Sequence, residues 1–86
     1  MPRVELYTRP FCPYCTRARA LLLARGIDFE ETDLRTDRAA AARVRETTGR
    51  TSVPQVFVGG HHVGGSDELA AADASGLLAR LVGRAA

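Results

Sequence analysis

The chain has 86 residues, 45% of them hydrophobic, and a net charge of +2. That length suits one domain over residues 1–86, with one modest core. So small a charge does not make the positive field of a nucleic-acid binder, and no apolar run approaches the roughly 20 residues that span a bilayer. Neither nucleic acid nor a membrane is therefore expected as a partner.

Met1-Pro2-Arg3 leads at once into Val4-Glu5-Leu6-Tyr7-Thr8, which alternates and reads as a strand. The start lacks the apolar segment of a signal peptide, so a cytoplasmic location is expected. Pro10 to Pro13 reads as a loop. A helix follows from Pro13 to about Arg25, with Ala18, Leu21, Leu22 and Ala24 at helical spacing. Pro13 suits the first helical position, and Gly26 ends the helix. Ile27 to Thr32 reads as a second strand. The resulting β–α–β unit has a helical crossover, so its strands should be parallel.

Thr36 is expected to cap a helix from about Asp37 to Thr48, with Gly49 as its stop and a thin apolar face of alanines and Val44. Pro54 to Val58, Gly59-Gly60 and His61-His62-Val63 read as a hairpin with a two-residue turn. His61 and His62 are adjacent, so on a strand they face opposite ways and cannot chelate one metal together. They are expected on the hairpin surface. Ser66-Asp67-Glu68 reads as a helix start with a capping hydroxyl. That helix breaks near Ser75-Gly76, and a last short helix carries Leu77, Leu78, Leu81 and Val82. The order is β-α-β-α-β-β-α-α, an α/β chain.

The two cysteines are Cys12 and Cys15. A bond between them encloses only Pro13-Tyr14 and staples almost nothing. A Cys-x-x-Cys on a β–α–β frame points to redox chemistry. Cys12 falls at the expected helix N-terminus, where unpaired N–H groups and the helix dipole favour a thiolate. Arg9 and Arg17 would add positive potential. Cys15, one turn on, should be the more buried partner, lying back under Cys12. An exposed attacker and a sheltered resolver suit disulfide exchange. The alternative is half of a zinc site, or two inert thiols. Zinc usually takes four ligands, and no second Cys pair exists.

Cys12-Pro13-Tyr14-Cys15 after a strand resembles the active-site motif of dithiol glutaredoxins. Ser52-Val53-Pro54 resembles that family's Thr-Val-Pro, and Gly64-Gly65-Ser66-Asp67 its Gly-Gly-x-Asp element. The likeness runs over nearly the whole chain. It implies a thioredoxin-like fold: a mixed four-stranded sheet with helices on both faces, and Pro54 in the cis form opposite the cysteines.

The same resemblance implies a glutathione site. Ser52, Val53 and Pro54 would hold the cysteinyl backbone, Val53 through its N–H and C=O. Gly65, Ser66 and Asp67 would hold the γ-glutamyl end. Arg9 would attract the glycyl carboxylate, and Tyr14 would pack along the ligand. Three departures stand out: Arg9 in place of Lys, Ser52 in place of Thr, and Ser66 where some members carry a third Cys.

Implied, then, is a thiol–disulfide oxidoreductase acting on glutathionylated and disulfide-containing proteins. It would hold no permanent cofactor and no metal, take glutathione as reducing co-substrate, and work as a monomer. Two alternatives remain open. One is a redoxin reduced by thioredoxin reductase, although the chain has no Trp and that group tends to carry a Trp-Ser-Gly-Phe-Arg-Pro segment. The other is an iron–sulfur cluster carrier, against which the stiff Pro13 argues.

Overall fold

The computed structural model describes residues 2–84. Its elements are β1 (Val4–Thr8), α1 (Pro13–Ala24), β2 (Glu30–Asp33), α2 (Arg38–Thr48), β3 (Gln55–Val58), β4 (His61–Gly64), α3 (Ser66–Ser75) and α4 (Leu77–Leu81). The strands make one sheet in the order β2-β1-β3-β4. β1 runs parallel to β2 and antiparallel to β3, and β3 runs antiparallel to β4.

Because side chains alternate along a strand, the two faces of the sheet take different residues. Val4 and Leu6 of β1 and Val56 and Val58 of β3 face α1, α3 and α4, where they bury against Ala18, Leu22, Leu69 and Leu78. Tyr7 and Phe57 face the other way, toward Leu34, Ala40 and Val44. The Tyr7 and Phe57 rings meet edge to face, 5.7 Å between centroids. Helices therefore cover both faces, as expected, and the α2 layer is the thinner one. Among the described residues, no helix is long and apolar enough to cross a membrane.

Three boundaries differ from the sequence reading. The second strand is Glu30–Asp33, not Ile27–Thr32. Gly26, at φ 65°, closes α1 in a Schellman arrangement: its N–H reaches the Leu23 carbonyl, and the Ile27 N–H reaches that of Leu22. Ile27 is thereby drawn into the core beneath the helix end, and β1 recruits the polar residues beyond it.

The cap of α2 is Asp37, whose carboxylate accepts the Ala40 N–H at 2.9 Å. The Thr36 hydroxyl instead donates to the Asp33 carbonyl. Gly49 is the stop, at φ 71°. The cap of α3 is Gly65 rather than Ser66, and its N–H donates to the Glu68 carboxylate at 2.9 Å. Gly64 has φ 123°, and a Cβ there would overlap the Glu68 carboxyl group. The hairpin turn lies at Gly59-Gly60, as read, both with positive φ, and β4 carries an irregularity that leaves Val63 without an opposite number.

Candidate functional site

The end of β1 and the start of β3 bring together the Cys12–Cys15 turn that opens α1 and the Ser52–Pro54 loop. The Val53–Pro54 bond is cis, as expected. The Val53 carbonyl lies 3.8 Å from Cys12 Sγ. Cys12 is the N-cap of α1, with Pro13 in the first turn, and its sulfur accepts the Cys15 N–H at 3.2 Å. The helix end thus presents a backbone donor to the sulfur itself.

Cys12 is half-buried, whereas Cys15 is 1% exposed. Burial, with a smaller effect of the hydrogen bond to Cys12, pushes the Cys15 thiol up to about 11. The two sulfurs therefore differ in access, and Cys15 is held as the neutral thiol at neutral pH.

Beside this pair runs a groove of about 240 Å³. Tyr14, Ser52, Val53, Pro54, Gly65, Ser66 and Asp67 line it, together with Arg50, Gln55 and Glu68. The fold has thus gathered seven residues from three separate stretches of chain that the sequence reading put in one binding site. The eighth, Arg9, lies elsewhere. It borders a second cleft, of about 340 Å³, with Phe11, Cys12, Thr16 and Arg19, and its guanidinium donates to the Thr51 carbonyl at 2.8 Å. Arg17 was expected to lend its charge to Cys12. Its guanidinium stacks 5.3 Å above the Tyr14 ring, where it is attracted to the ring face.

Several site residues escaped the sequence reading. Arg50 pairs with Glu68 at 2.6 Å across the groove floor. With the Gly65 N–H as a second donor, Arg50 holds the Glu68 carboxyl down at about 2. Gln55, 1% exposed, is a buried amide at the start of β3. Its Nε2 donates to the Ser52 carbonyl at 3.0 Å, and its Oε1 meets His62 Nε2 at 2.7 Å.

His62 was expected at the surface. It is half-buried, its ring 4.9 Å from that of Phe57, and burial with the nearby Arg50 lowers its pKa. A lone amide in the otherwise apolar run Gln55-Val56-Phe57-Val58 was the available signal. Behind the cysteines, Arg19 makes a two-pronged pair with Glu31, which also accepts the buried Thr8 hydroxyl. Phe11 is fully exposed and adopts φ 58°, a conformation unusual for a residue with a side chain.

The chain is similar to known proteins. Residues 4–63 match the family model described as Glutaredoxin. The chain is 45% identical to Glutaredoxin 3 of Escherichia coli (strain K12) over 78 residues, 91% of this chain and 94% of that protein. The solution structure of glutaredoxin from Brucella melitensis superposes with a TM-score of 0.83 at 43% identity, covering 100% of this chain and 96% of that one. The crystal structure of a buckwheat glutaredoxin–glutathione complex superposes with a TM-score of 0.85 at 27% identity, over 94% of this chain and 76% of that one.

Proposed function

The chain belongs to the glutaredoxin family, whose members are glutathione-dependent thiol–disulfide oxidoreductases, and from that premise we propose which of its residues perform the reaction. Cys12 is the attacking thiolate and Cys15 the resolving thiol. The observation that carries this division is the contrast between them: Cys12 opens on a cleft at the helix start, while Cys15 is sealed from solvent with its proton held tightly.

With a protein–glutathione mixed disulfide, the Cys12 thiolate attacks the glutathione sulfur. The protein thiolate leaves and takes a proton from solvent, and a Cys12–glutathione disulfide remains. A second glutathione thiolate then attacks the glutathione sulfur, giving glutathione disulfide and restoring Cys12. With a protein disulfide, the Cys12 thiolate attacks one substrate sulfur; the substrate S–S bond breaks, and the other sulfur leaves as a thiolate and takes a proton from solvent. Cys15, after losing its proton to solvent, then attacks Cys12 Sγ, releases the substrate sulfur held there as the second thiolate and leaves Cys12–Cys15 oxidised. Bonding of Cys12 to substrate removes its contribution to the raised Cys15 pKa, so the resolver ionises more readily when it is needed.

Ser52, Val53 and Pro54 form the wall on which the cysteinyl backbone of glutathione lies, and Gly65, Ser66 and Asp67 hold its γ-glutamyl end. Backbone N–H groups at the start of α3 suit the carboxylate, and Asp67 suits the ammonium. Tyr14 covers the ligand from α1. Arg9, on the far side of Cys12, draws the glycyl carboxylate. The enzyme works as a monomer on glutathionylated and disulfide-bonded proteins, with glutathione as reductant and no resident cofactor.

The test is a coupled assay with glutathione and glutathione reductase, run beside one with thioredoxin reductase. Cys12→Ser should lose all activity. Cys15→Ser should keep turnover of a glutathionylated peptide and lose most reduction of a protein disulfide. An active Cys12→Ser enzyme overturns the assignment, as does faster reduction by thioredoxin reductase than by glutathione.

A further inference from the structure

We infer that Gln55 and His62 are positioning residues that aim the Val53 N–H into the groove. The inference rests on the reading above, in which that N–H receives the backbone of glutathione.

Gln55 is a polar side chain in the interior of the sheet, and its two ends are both bonded. The Ser52 carbonyl can only accept, so the Gln55 end that faces it is the NH2 group. The other end is then the amide oxygen, which also only accepts. His62 must therefore present Nε2 as N–H, and this holds for the Nε2-protonated neutral ring. A reversed amide would set a donor against His62 N–H and an acceptor against the Ser52 carbonyl. The Ser52 carbonyl thus fixes the amide orientation and with it the His62 tautomer, and the His62 N–H holds the far end of the amide in place. The Phe57 ring beneath it, 4.9 Å away, limits where the imidazole can lie. A weaker contact from Gln55 Nε2 to Ser52 Oγ, at 3.4 Å, ties the same residue a second time.

The consequence passes through one peptide unit. The Ser52 C=O and the Val53 N–H belong to the same planar group, which is trans, so they point in opposite directions. Drawing the carbonyl inward to the buried Gln55 turns the N–H outward. Val53 lines the groove there, and its own carbonyl lies 3.8 Å from Cys12 Sγ. A relay from His62 through Gln55 to Ser52 therefore sets the direction of a donor at the reacting sulfur, although neither His62 nor Gln55 need touch the substrate. Preorganisation of this kind lowers the cost of binding without adding a contact.

The experiment follows one half-reaction by stopped flow: attack of reduced enzyme on glutathione disulfide, which forms the Cys12–glutathione bond and releases one glutathione thiolate. Bis(2-hydroxyethyl) disulfide, which has no peptide backbone, is the comparison. His62→Leu removes the donor at the half-buried end of the relay. It should slow attack on glutathione disulfide by about threefold to tenfold, the range expected for losing the alignment of one hydrogen bond. Attack on the hydroxyethyl disulfide should change by less than about twofold on the same scale.

His62→Gln supplies an N–H2 group at similar reach and should restore most of the difference. Asp67→Asn serves as the control for the binding site itself. If Asp67→Asn discriminates between the two disulfides and His62→Leu does not, the relay is wrong and the groove assignment stands. If neither discriminates, both are wrong. Equal losses in His62→Leu and His62→Gln would mean that the ring packs and does not aim, which also overturns the inference.

Discussion

Cys15 is a small apolar side chain in its packing and an acid in its chemistry, and the two roles oppose each other. Its burial raises the thiol from an ordinary 9.0 to about 11. The folded protein therefore binds this proton more tightly than the unfolded chain does. The associated stability is fully present below the unfolded value and is lost as pH rises from about 9 to about 11. Tyr7 adds to the same trend at slightly higher pH, since burial, with help from the Glu5 carboxylate, pushes its hydroxyl up to about 12. Urea midpoints of the reduced protein should accordingly fall across that window. In Cys15→Ala the early part of the fall should disappear, and an unchanged profile would show that the Cys15 proton is not linked to folding. The C-x-x-C spacing was enough to identify this residue and its partner. That Cys15 is sealed, at 1% exposed, depends on the closing of the tertiary structure around α1, which no local spacing encodes.

At the scale of single elements, most starts and stops follow from local chemistry, and the departures have local causes. Gly26, Gly49 and Gly76 end helices in left-handed geometry, where glycine costs least. The start of α2 is the instructive case, because Thr36 and Asp37 are both acceptable caps by residue type. Asp33 decides between them: its carbonyl accepts the Thr36 and Asp37 N–H groups and the Thr36 hydroxyl, which leaves Asp37 free to cap Ala40. Asp37→Ala should therefore cost about 0.5–2 kcal/mol, the usual range for a lost helix cap. Thr36→Ala, which gives up only an exposed turn contact, should cost clearly less. Chemical denaturation of the two variants measures this, and a larger loss in Thr36→Ala would move the cap back to the position read from sequence. A similar contest explains α3. Glu68 folds back onto the Gly65 N–H and is held there by Arg50, so the cap forms without a hydroxyl.

Over the whole molecule the sheet separates two apolar layers of unequal weight. Leu6, Leu22, Leu69 and Leu78 are all nearly inaccessible on the side of α1, α3 and α4. The α2 side is built from Ala40 and Val44 against two rings and Leu34. Leu22→Ala should destabilise by about 2–5 kcal/mol, a lost side chain plus the cavity it leaves. Val44→Ala removes less volume, from the thinner layer, and should cost less than half as much. Denaturant midpoints would decide the order, and equal costs would mean that the two layers are equally dense. The site lies at the edge of both layers. α1 from the heavier one carries Cys12 and Cys15, while the groove is completed by the Ser52–Pro54 loop that leads from α2 into β3. Neither layer alone would hold the cysteines against that loop.

The sequence by itself determined the order of elements, the cysteine pair and its frame, the hairpin turn and the helix stops, because each depends on a few neighbouring residues with strong conformational or chemical preferences. The likeness of three short motifs to one family then carried the fold class and the seven groove residues. Only the tertiary structure decided where β2 lies, since its polar residues become a strand through pairing with β1 and not through a pattern of their own. It also decided that Arg9 and Tyr14 stand at different clefts, that Arg17 stacks on the Tyr14 ring, and that His62 turns inward to Gln55. Those outcomes depend on which side chains meet across the sheet and between loops far apart in the chain, and long-range contact of that kind leaves no local periodicity to read.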